Sequence, residues 1–249
     1  VHGAAVTASP EENGQTPEEN LRANLEPLLA ALEWAARHQV RRALFMSSSA
    51  VYRQTASGVV DETLPTSPHG LYAVAKQTME SLIETLRDLY QRDLAVLRLS
   101  NIYGLNERAR VSRPRISLVG RMVTEALETG TVTAYQDSLR RDWTFAPDLG
   151  VVIDRLMRLE KLQHALYNNA AEHVLTQRDI ADAIHTVLPD VKVLLRVGSD
   201  PNESKITRFG YLSNQRLRDE ISFNGWTPFS EAVKRIVEAQ HSGQQKVIS

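Results

Sequence analysis

The sequence predicts an α/β fold in which a parallel sheet with covering helices is followed by a smaller α+β part. Two observations carry the prediction. Short apolar runs at 42–47 and 94–100 read as buried strands, and long helical patterns occupy 17–37 and 70–90. Strands that alternate with helices of this length indicate βαβ crossovers and hence a parallel sheet.

The elements of the first part follow from local signals. Residues 1–6 are an apolar run that predicts the end of a buried strand, and 8–14 is a polar loop. A Thr-Pro-Glu-Glu segment then supplies a capping box and a proline in the first turn, so a helix begins at 17 and runs to 37. Residues 52–68 are rich in Ser, Thr, Gly and Pro, so a loop precedes the helix at 70–90.

The composition shifts after Gly104, where an arginine-rich loop begins. Beyond it the elements become shorter, which is typical of an α+β arrangement. The predicted helices are 116–129, 148–159, 176–188, a short one that starts at 213 or 214, and 230–240, and the predicted strands are 132–135, 165–168 and 191–197. We therefore divide the chain into residues 1–104 and 105–249, with 132–168 returning to the first sheet.

The composition excludes several classes of protein. Of the 249 residues, 42% are hydrophobic and 24% charged, with a net charge of −1, so no overall field favours nucleic acid or a membrane surface. The chain has no cysteine and no apolar run near the ~20 residues of a membrane span. The histidines are scattered without ligand spacing. We expect a cytoplasmic protein without a bound metal.

The strongest local signal for chemistry is a tyrosine four residues before a lysine. Tyr72 and Lys76 share one face of the predicted helix. We expect the ammonium to lower the pKa of the phenol and so to suit it for proton transfer at a substrate oxygen. Three hydroxyls, Ser47 to Ser49, end a predicted parallel strand, which is where open α/β sheets place their ligands. A Tyr and a Lys that are four apart by chance on the surface, and a serine-rich turn, would give the same patterns. Only the structure can show whether these residues form one site.

Segments that follow one another in a fixed order resemble the extended short-chain dehydrogenases, the NAD-dependent sugar epimerase/dehydratase group. VHGAA is similar to the fourth strand of that family, and Asn24 matches an Asn early in the next helix. The match continues through SSSAVY, LYAVAK, LRLSNIYG, RDW, YNNAAEHVLTQRDIADAI and FNGWTPFSEAV. The resemblance implies a partial Rossmann-type doubly wound parallel sheet plus a smaller α+β substrate-binding part. Residues 1–104 would then be the C-terminal portion of the dinucleotide-binding domain.

The resemblance also implies a role for each matching residue. Tyr72 is the general acid/base, Lys76 holds the cofactor ribose and tunes Tyr72, and Ser48 is the favoured catalytic hydroxyl. Arg141 faces the substrate and suits a diphosphate or carboxylate, because the planar fork of arginine binds oxyanions through two hydrogen bonds. The further residues implied are Ala4, Ala5, Asn24, Ser47 and Leu99 at the cofactor, and Ser49 and Asn101 at the substrate.

The reaction implied is hydride transfer to NAD or NADP while Tyr72 takes the hydroxyl proton of a sugar or nucleotide sugar. An epimerase returns the hydride to the other face, whereas a dehydrogenase or carbonyl reductase does not, and the same residues serve both. Sugar dehydratases of the family carry an acid pair where this chain has Ser49 and Ala50, so dehydration is disfavoured. A non-catalytic, cofactor-binding or truncated member is the third alternative.

Two further expectations follow from the resemblance. The family begins with a G-x-x-G-x-x-G loop that meets the cofactor pyrophosphate, and no such motif occurs in these 249 residues. We therefore expect a truncated member or a piece of a longer chain that binds nicotinamide cofactor poorly by itself, which tight binding in calorimetry would contradict. Since the family commonly dimerises through two long helices, we also expect a homodimer through 17–37 and 70–90.

A basic cluster lies in the loop after Gly104 and has two interpretations. It is either a site for a substrate phosphate or carboxylate, or a solvated loop without a ligand. We favour the solvated loop, because basic runs are usually exposed. Its members are Arg108, Arg110, Arg113 and Arg115.

Overall fold

Strands and helices alternate along the structure, a computed structural model that describes residues 1–52, 58–201 and 211–245. The strands are β1 (Arg42–Ser48), β2 (Val59–Val60), β3 (Asp93–Leu99), β4 (Asn101–Tyr103), β5 (Thr131–Tyr135), β6 (Arg141–Phe145), β7 (Leu166–Asn169), β8 (Val174–Leu175), β9 (Lys192–Arg196) and β10 (Tyr211–Leu212). The helices are α1 (Pro10–Asn13), α2 (Pro17–Arg37), α3 (Leu71–Tyr90), α4 (Leu118–Thr129), α5 (Ala146–Arg158), α6 (Gln177–Val187), α7 (Gln215–Ile221) and α8 (Phe229–Gln245).

The central sheet has the strand order β1-β3-β7, and both of its strand pairs are parallel. Side chains alternate between its two faces, as the pleat of a strand requires. Phe45 packs with apolar residues of α2 and α3 on one face, whereas Leu44 and Met46 pack with those of α5 and α7 on the other. Helices therefore cover both faces of a parallel sheet, which confirms the predicted α/β, Rossmann-type class.

From β4 onward, the strands outside the central sheet form both parallel and antiparallel pairs. Strand β4 pairs with β6 in parallel and β6 pairs with β8 antiparallel, while β5 and β9 form a separate parallel pair. Apolar residues of α4, α6 and α8 form one core with these strands, centred on buried side chains such as Val123, Ile184 and Ile236. The division of the chain at residue 104 stays a prediction.

Two predicted elements near the start of the chain differ in the structure. The strand expected at 1–6 is reduced to one bridge, in which His2 exchanges backbone hydrogen bonds of 2.8 and 2.9 Å with β1. The chain then leaves the sheet, because Val6 bonds to the Asn24 side chain instead. The loop expected at 8–14 contains α1, which begins with a capping box between Ser9 and Glu12.

Apart from β6, the strands that the sequence did not reveal have only two or three residues. β2 and β10 have two residues each and pair with one another, and β4 has three. A segment of this length shows no period of its own, so it becomes a strand only when a neighbour supplies the hydrogen bonds. β6 was also missed, although it holds Arg141 and Asp142.

Two helix features bear on expectations about partners. Within the described ranges, no helix is long and apolar enough to cross a membrane. The homodimer through 17–37 and 70–90 stays a prediction, and both helices carry exposed apolar side chains, among them Leu29, Trp34, Leu89 and Tyr90.

Candidate active site

A cavity of about 610 Å³ opens where β1 and β3 end. Ser47 and Ser48 reach it from the end of β1, and Leu99 and Ser100 from the end of β3. The two strands are parallel and in register, with Ser48 beside Leu99, so both carboxyl ends meet at the same edge. Open α/β sheets bind their ligands at this edge.

Helix α3 brings Tyr72 and Lys76 to the same cavity. The helix begins after Gly70, whose φ of +83° favours glycine and turns the chain so that Tyr72 falls in the first helical turn. Lys76 follows one turn later, and its Nζ lies 5.7 Å from the centroid of the Tyr72 ring. Ser48, Tyr72 and Lys76 thus line one cavity, as the sequence led us to expect.

The pKa of Tyr72 does not follow the sequence-based expectation. Burial raises the pKa of the phenol above its ordinary value, and the Ser48 side chain and the Arg113 charge only partly oppose the rise. The expected lowering by Lys76 was wrong for this structure, because desolvation penalises tyrosinate more strongly than the neighbouring groups favour it. Tyr72 is therefore a phenol at neutral pH, with its proton available to a substrate oxygen.

Lys76 is almost completely buried, with 5% of its surface exposed. Its Nζ donates a hydrogen bond of 2.7 Å to the Met46 carbonyl of β1. Burial lowers the pKa of Lys76 to about 8, and the Glu80 charge opposes this effect. An ammonium has three donors, so Lys76 retains hydrogen-bonding capacity beyond Met46.

The other predicted site residues divide into two groups. Ala5, Ser47, Leu99, Asn101 and Arg141 line the cavity, whereas Ala4, Asn24 and Ser49 do not. Extended backbone sends successive side chains to opposite sides, which separates Ala4 from Ala5. Ser49 is separated from Ser48 because the chain turns into a short 3-10 helix, Ser49–Val51, directly after β1.

The Asn24 side chain is hydrogen-bonded to backbone groups, and no hydrogen bond joins it to Lys76, which donates to Met46. Its side chain accepts a hydrogen bond of 3.0 Å from Val6 N and donates one of 3.2 Å to Val6 O. Asn20, one turn earlier, donates to the Ala8 carbonyl at 3.1 Å. The pair fixes the segment that places Ala5 at the cavity, which is an indirect contribution to the site.

The mouth of the cavity carries charged residues that the sequence did not assign to the site. Arg113 and Arg115 line it although they are exposed, as a solvated loop would be. Arg115 forms an ion pair with Glu12 across the mouth. Arg121 lines it from α4 and pairs with the buried Asp200 at 3.3 Å. These contacts join segments that are far apart in sequence, so spacing along the chain does not show them.

The residues present fit the nicotinamide-ribose end of a dinucleotide. Lys76 and Tyr72 offer hydrogen bonds to ribose hydroxyls, and the small residues Gly3 and Ala5 leave room for a flat ring beside Ser47. A metal site is not indicated: among the described residues, no group of three or more His, Asp or Glu is placed to hold an ion. The expected absence of a metal stays a prediction.

Comparison with known proteins gives consistent results. A model of the NAD dependent epimerase/dehydratase family matches residues 1–170. The dTDP-glucose 4,6-dehydratase of Streptomyces antibioticus is 25% identical over 244 residues, which are 96% of this chain and 68% of that protein. The UDP-glucose 4-epimerase of Thermotoga maritima, solved with UDP-glucose, has a TM-score of 0.80 at 20% identity over 96% of this chain and 76% of that chain. RMD from Pseudomonas aeruginosa, complexed with NADPH, has a TM-score of 0.78 at 19% identity over 97% and 80%.

Proposed function

The chain belongs to the NAD dependent epimerase/dehydratase family, and we propose that it is a nucleotide-sugar epimerase with Tyr72 as its general acid/base. Relatives are named for dTDP-glucose and UDP-glucose, which supports a nucleotide sugar as the substrate class. The cofactor is NAD or NADP, since the family is described as NAD dependent and one similar structure holds NADPH.

The observation that carries the proposal is the presence of Ser48, Tyr72 and Lys76 in one cavity. In its tyrosinate form, which the ammonium of Lys76 favours, Tyr72 would take the proton of the reacting hydroxyl and become a phenol, while Ser48 donates a hydrogen bond to the same oxygen. A nicotinamide held by Lys76 and Tyr72 would supply the hydride acceptor. For inversion, the hydride would have to return to the opposite face of the ketone, and Tyr72 would give the proton back to its oxygen.

The acids around the cavity support epimerisation over dehydration. Loss of water from a sugar requires a proton donor for the departing hydroxyl. Among the described residues that line the cavity, Glu12 is the one carboxylate, and Arg115 pairs with it at the mouth. Ser49 and Ala50 stand where the family's dehydratases carry their acid pair, and neither can supply that proton.

The experiment that tests the proposal uses the full-length protein with UDP-glucose and, separately, dTDP-glucose, in the presence of NAD or NADP. We expect an inverted sugar without accumulation of reduced cofactor, detected by NMR of the sugar product. Stoichiometric reduced cofactor would instead indicate a dehydrogenase, and a product lighter by one water would indicate a dehydratase. Either result would overturn the epimerase assignment.

Arg141 gives a prediction about substrate binding. It lines the cavity at the start of β6, and a guanidinium binds a diphosphate through two hydrogen bonds where an ammonium offers only a point charge. We expect Arg141→Lys to weaken UDP binding about tenfold, which corresponds to the loss of one charge-assisted hydrogen bond. Calorimetric titration with UDP measures this without any need for turnover.

The neighbouring Arg140 supplies the matched control. It is exposed, donates to the Val174 carbonyl at 3.1 Å and does not line the cavity. Arg140→Lys should bind UDP as the wild type does. Equal affinity of the Arg141→Lys variant and the wild type would contradict the assignment of Arg141 to the diphosphate.

A further inference from the structure

Helix α3 carries a third charged residue on the face that holds the site. Tyr72, Lys76 and Glu80 follow one another at intervals of four residues, so they lie on successive turns of one helix face. Glu80 is largely buried, with 10% of its side chain exposed, and it does not line the cavity. The proposed chemistry of the cavity leaves this buried carboxylate without a role.

Three hydrogen bonds from Arg98 fix the Glu80 carboxylate. Nε of Arg98 donates to Oε1 and Oε2 at 3.0 and 3.1 Å, and Nη2 donates to Oε2 at 2.6 Å. Ser47 Oγ donates to Oε1 at 2.5 Å. Ser47 and Arg98 are paired in register on β1 and β3, so the Glu80 carboxylate is held against these two strands. Ser47, one of its partners, also lines the cavity.

Arg98 is itself held on the side away from Glu80. Its Nη1 donates to the Tyr52 hydroxyl at 2.7 Å, and its guanidinium lies 4.6 Å from the centroid of the Tyr52 ring. The Tyr52 hydroxyl donates to Asn168 Oδ1 of β7 at 2.8 Å. Because every member is anchored, the negative charge of Glu80 cannot move away from the turn that carries Lys76.

Lys76 needs such a charge because burial disfavours its ammonium. Burial lowers its pKa to about 8, and Glu80 is the group that opposes the fall. The other titratable neighbours are Tyr72, which is a neutral phenol, and His2, whose own pKa is lowered by burial and by the Lys76 charge. His2 is therefore already neutral over the pH range in which Lys76 titrates, and it contributes no compensating charge.

We propose that Glu80 is a positioning residue, whose fixed negative charge keeps Lys76 protonated beside Tyr72. The inference rests on the proposed function for its purpose, since only a charged Lys76 favours tyrosinate and donates three hydrogen bonds. Arg98 and Ser47 hold Glu80 in place through their hydrogen bonds to its carboxylate. A purely structural ion pair would leave the protonation of Lys76 unchanged when it is removed.

Titration of Lys76 by NMR tests the proposal without any measurement of activity. The chain contains six lysines, so labelling the side-chain nitrogen of lysine gives few signals, and Lys76→Arg identifies the one of interest. We expect Glu80→Gln to lower the pKa of Lys76 by about one pH unit, the low end of the range for loss of an opposite charge nearby. Glu84→Gln, one turn further along the helix and exposed, should leave it unchanged.

Glu80→Gln removes the charged partner of Arg98 and could therefore prevent folding. In that case a second variant tests the role of Glu80. Glu80→Leu combined with Arg98→Met replaces the buried ion pair by apolar side chains, a change that is often neutral or stabilising. The folded double variant should also show a lowered Lys76 pKa. An unchanged or raised pKa in either folded variant would overturn the role of Glu80, and that result is separate from a failure to find epimerase activity.

Discussion

Replacement of Tyr72 by phenylalanine is expected to lower kcat by about 10²–10⁴-fold, the usual contribution of a positioned general acid/base. The ring and its packing on α3 remain, and only the oxygen that exchanges the proton is lost. Because the phenyl ring of the variant should still line the cavity beside Ser48 and Lys76, the substrate should still bind, and KM should change little. Steady-state kinetics of the full-length protein with UDP-glucose or dTDP-glucose, whichever is turned over, measure both constants.

Tyr103 offers a matched control for the same change elsewhere in the chain. It is 1% exposed, its hydroxyl has no hydrogen-bond partner among the described residues, and it does not line the cavity. Tyr103→Phe removes an equivalent oxygen from the core and should leave kcat as it is. If Tyr72→Phe were as active as Tyr103→Phe, Tyr72 could not be the residue that transfers the proton.

The largest expected effect on stability comes from Arg42, which is 4% exposed at the start of β1. Its Nη2 bonds to the Asp93 carboxylate at 2.5 Å, and its Nη1 donates to the carbonyls of Leu156 and Leu159 at the end of α5. Arg42→Met retains the apolar stem but removes the cation from the largely buried Asp93 carboxylate, which keeps, among the described residues, only the Leu162 N–H at 3.3 Å, and takes a donor from the helix-end carbonyls. We expect it to lower the free energy of unfolding by about 3–5 kcal/mol.

The adjacent Arg41 separates this effect from a general loss of positive charge. Arg41 is exposed, and its side chain donates a hydrogen bond of 3.0 Å to the Glu160 carbonyl. Arg41→Met should change the free energy of unfolding by no more than about 0.5 kcal/mol, as surface substitutions usually do. Denaturant unfolding of both variants measures the difference, and equal stability of the two would contradict the importance of the buried Arg42 contacts.

The sequence revealed those parts of the fold and site that depend on local spacing. The helix at 70–90 has a clear period and the strand at 42–47 is a short apolar run, and the elements found there carry Tyr72, Lys76 and Ser48. Their meeting at one cavity followed from the rule that parallel strands present their carboxyl ends at a common edge. The resemblance to a known family added Asn101 and Arg141, which also line the cavity.

What the sequence missed depends on contacts between distant segments. Glu12 and Arg115 are far apart in the chain and pair across the cavity mouth, and Glu80 meets Arg98 only after α3 packs on β3. The raised pKa of Tyr72 has the same origin, because burial is set by the whole fold. The spacing suggested that Lys76 would lower the pKa of Tyr72, but it could not show that both side chains are buried.

The claim that this cavity performs hydride transfer is tested most directly by following the hydrogen itself. The full-length protein with NAD or NADP is mixed with a nucleotide sugar deuterated at the carbon that inverts, and the first turnover is quenched and examined by mass spectrometry. We expect deuterium on the nicotinamide and then on the inverted sugar, with none lost to water. Inversion with an unlabelled nicotinamide and deuterium released into the solvent would contradict hydride transfer at Ser48, Tyr72 and Lys76.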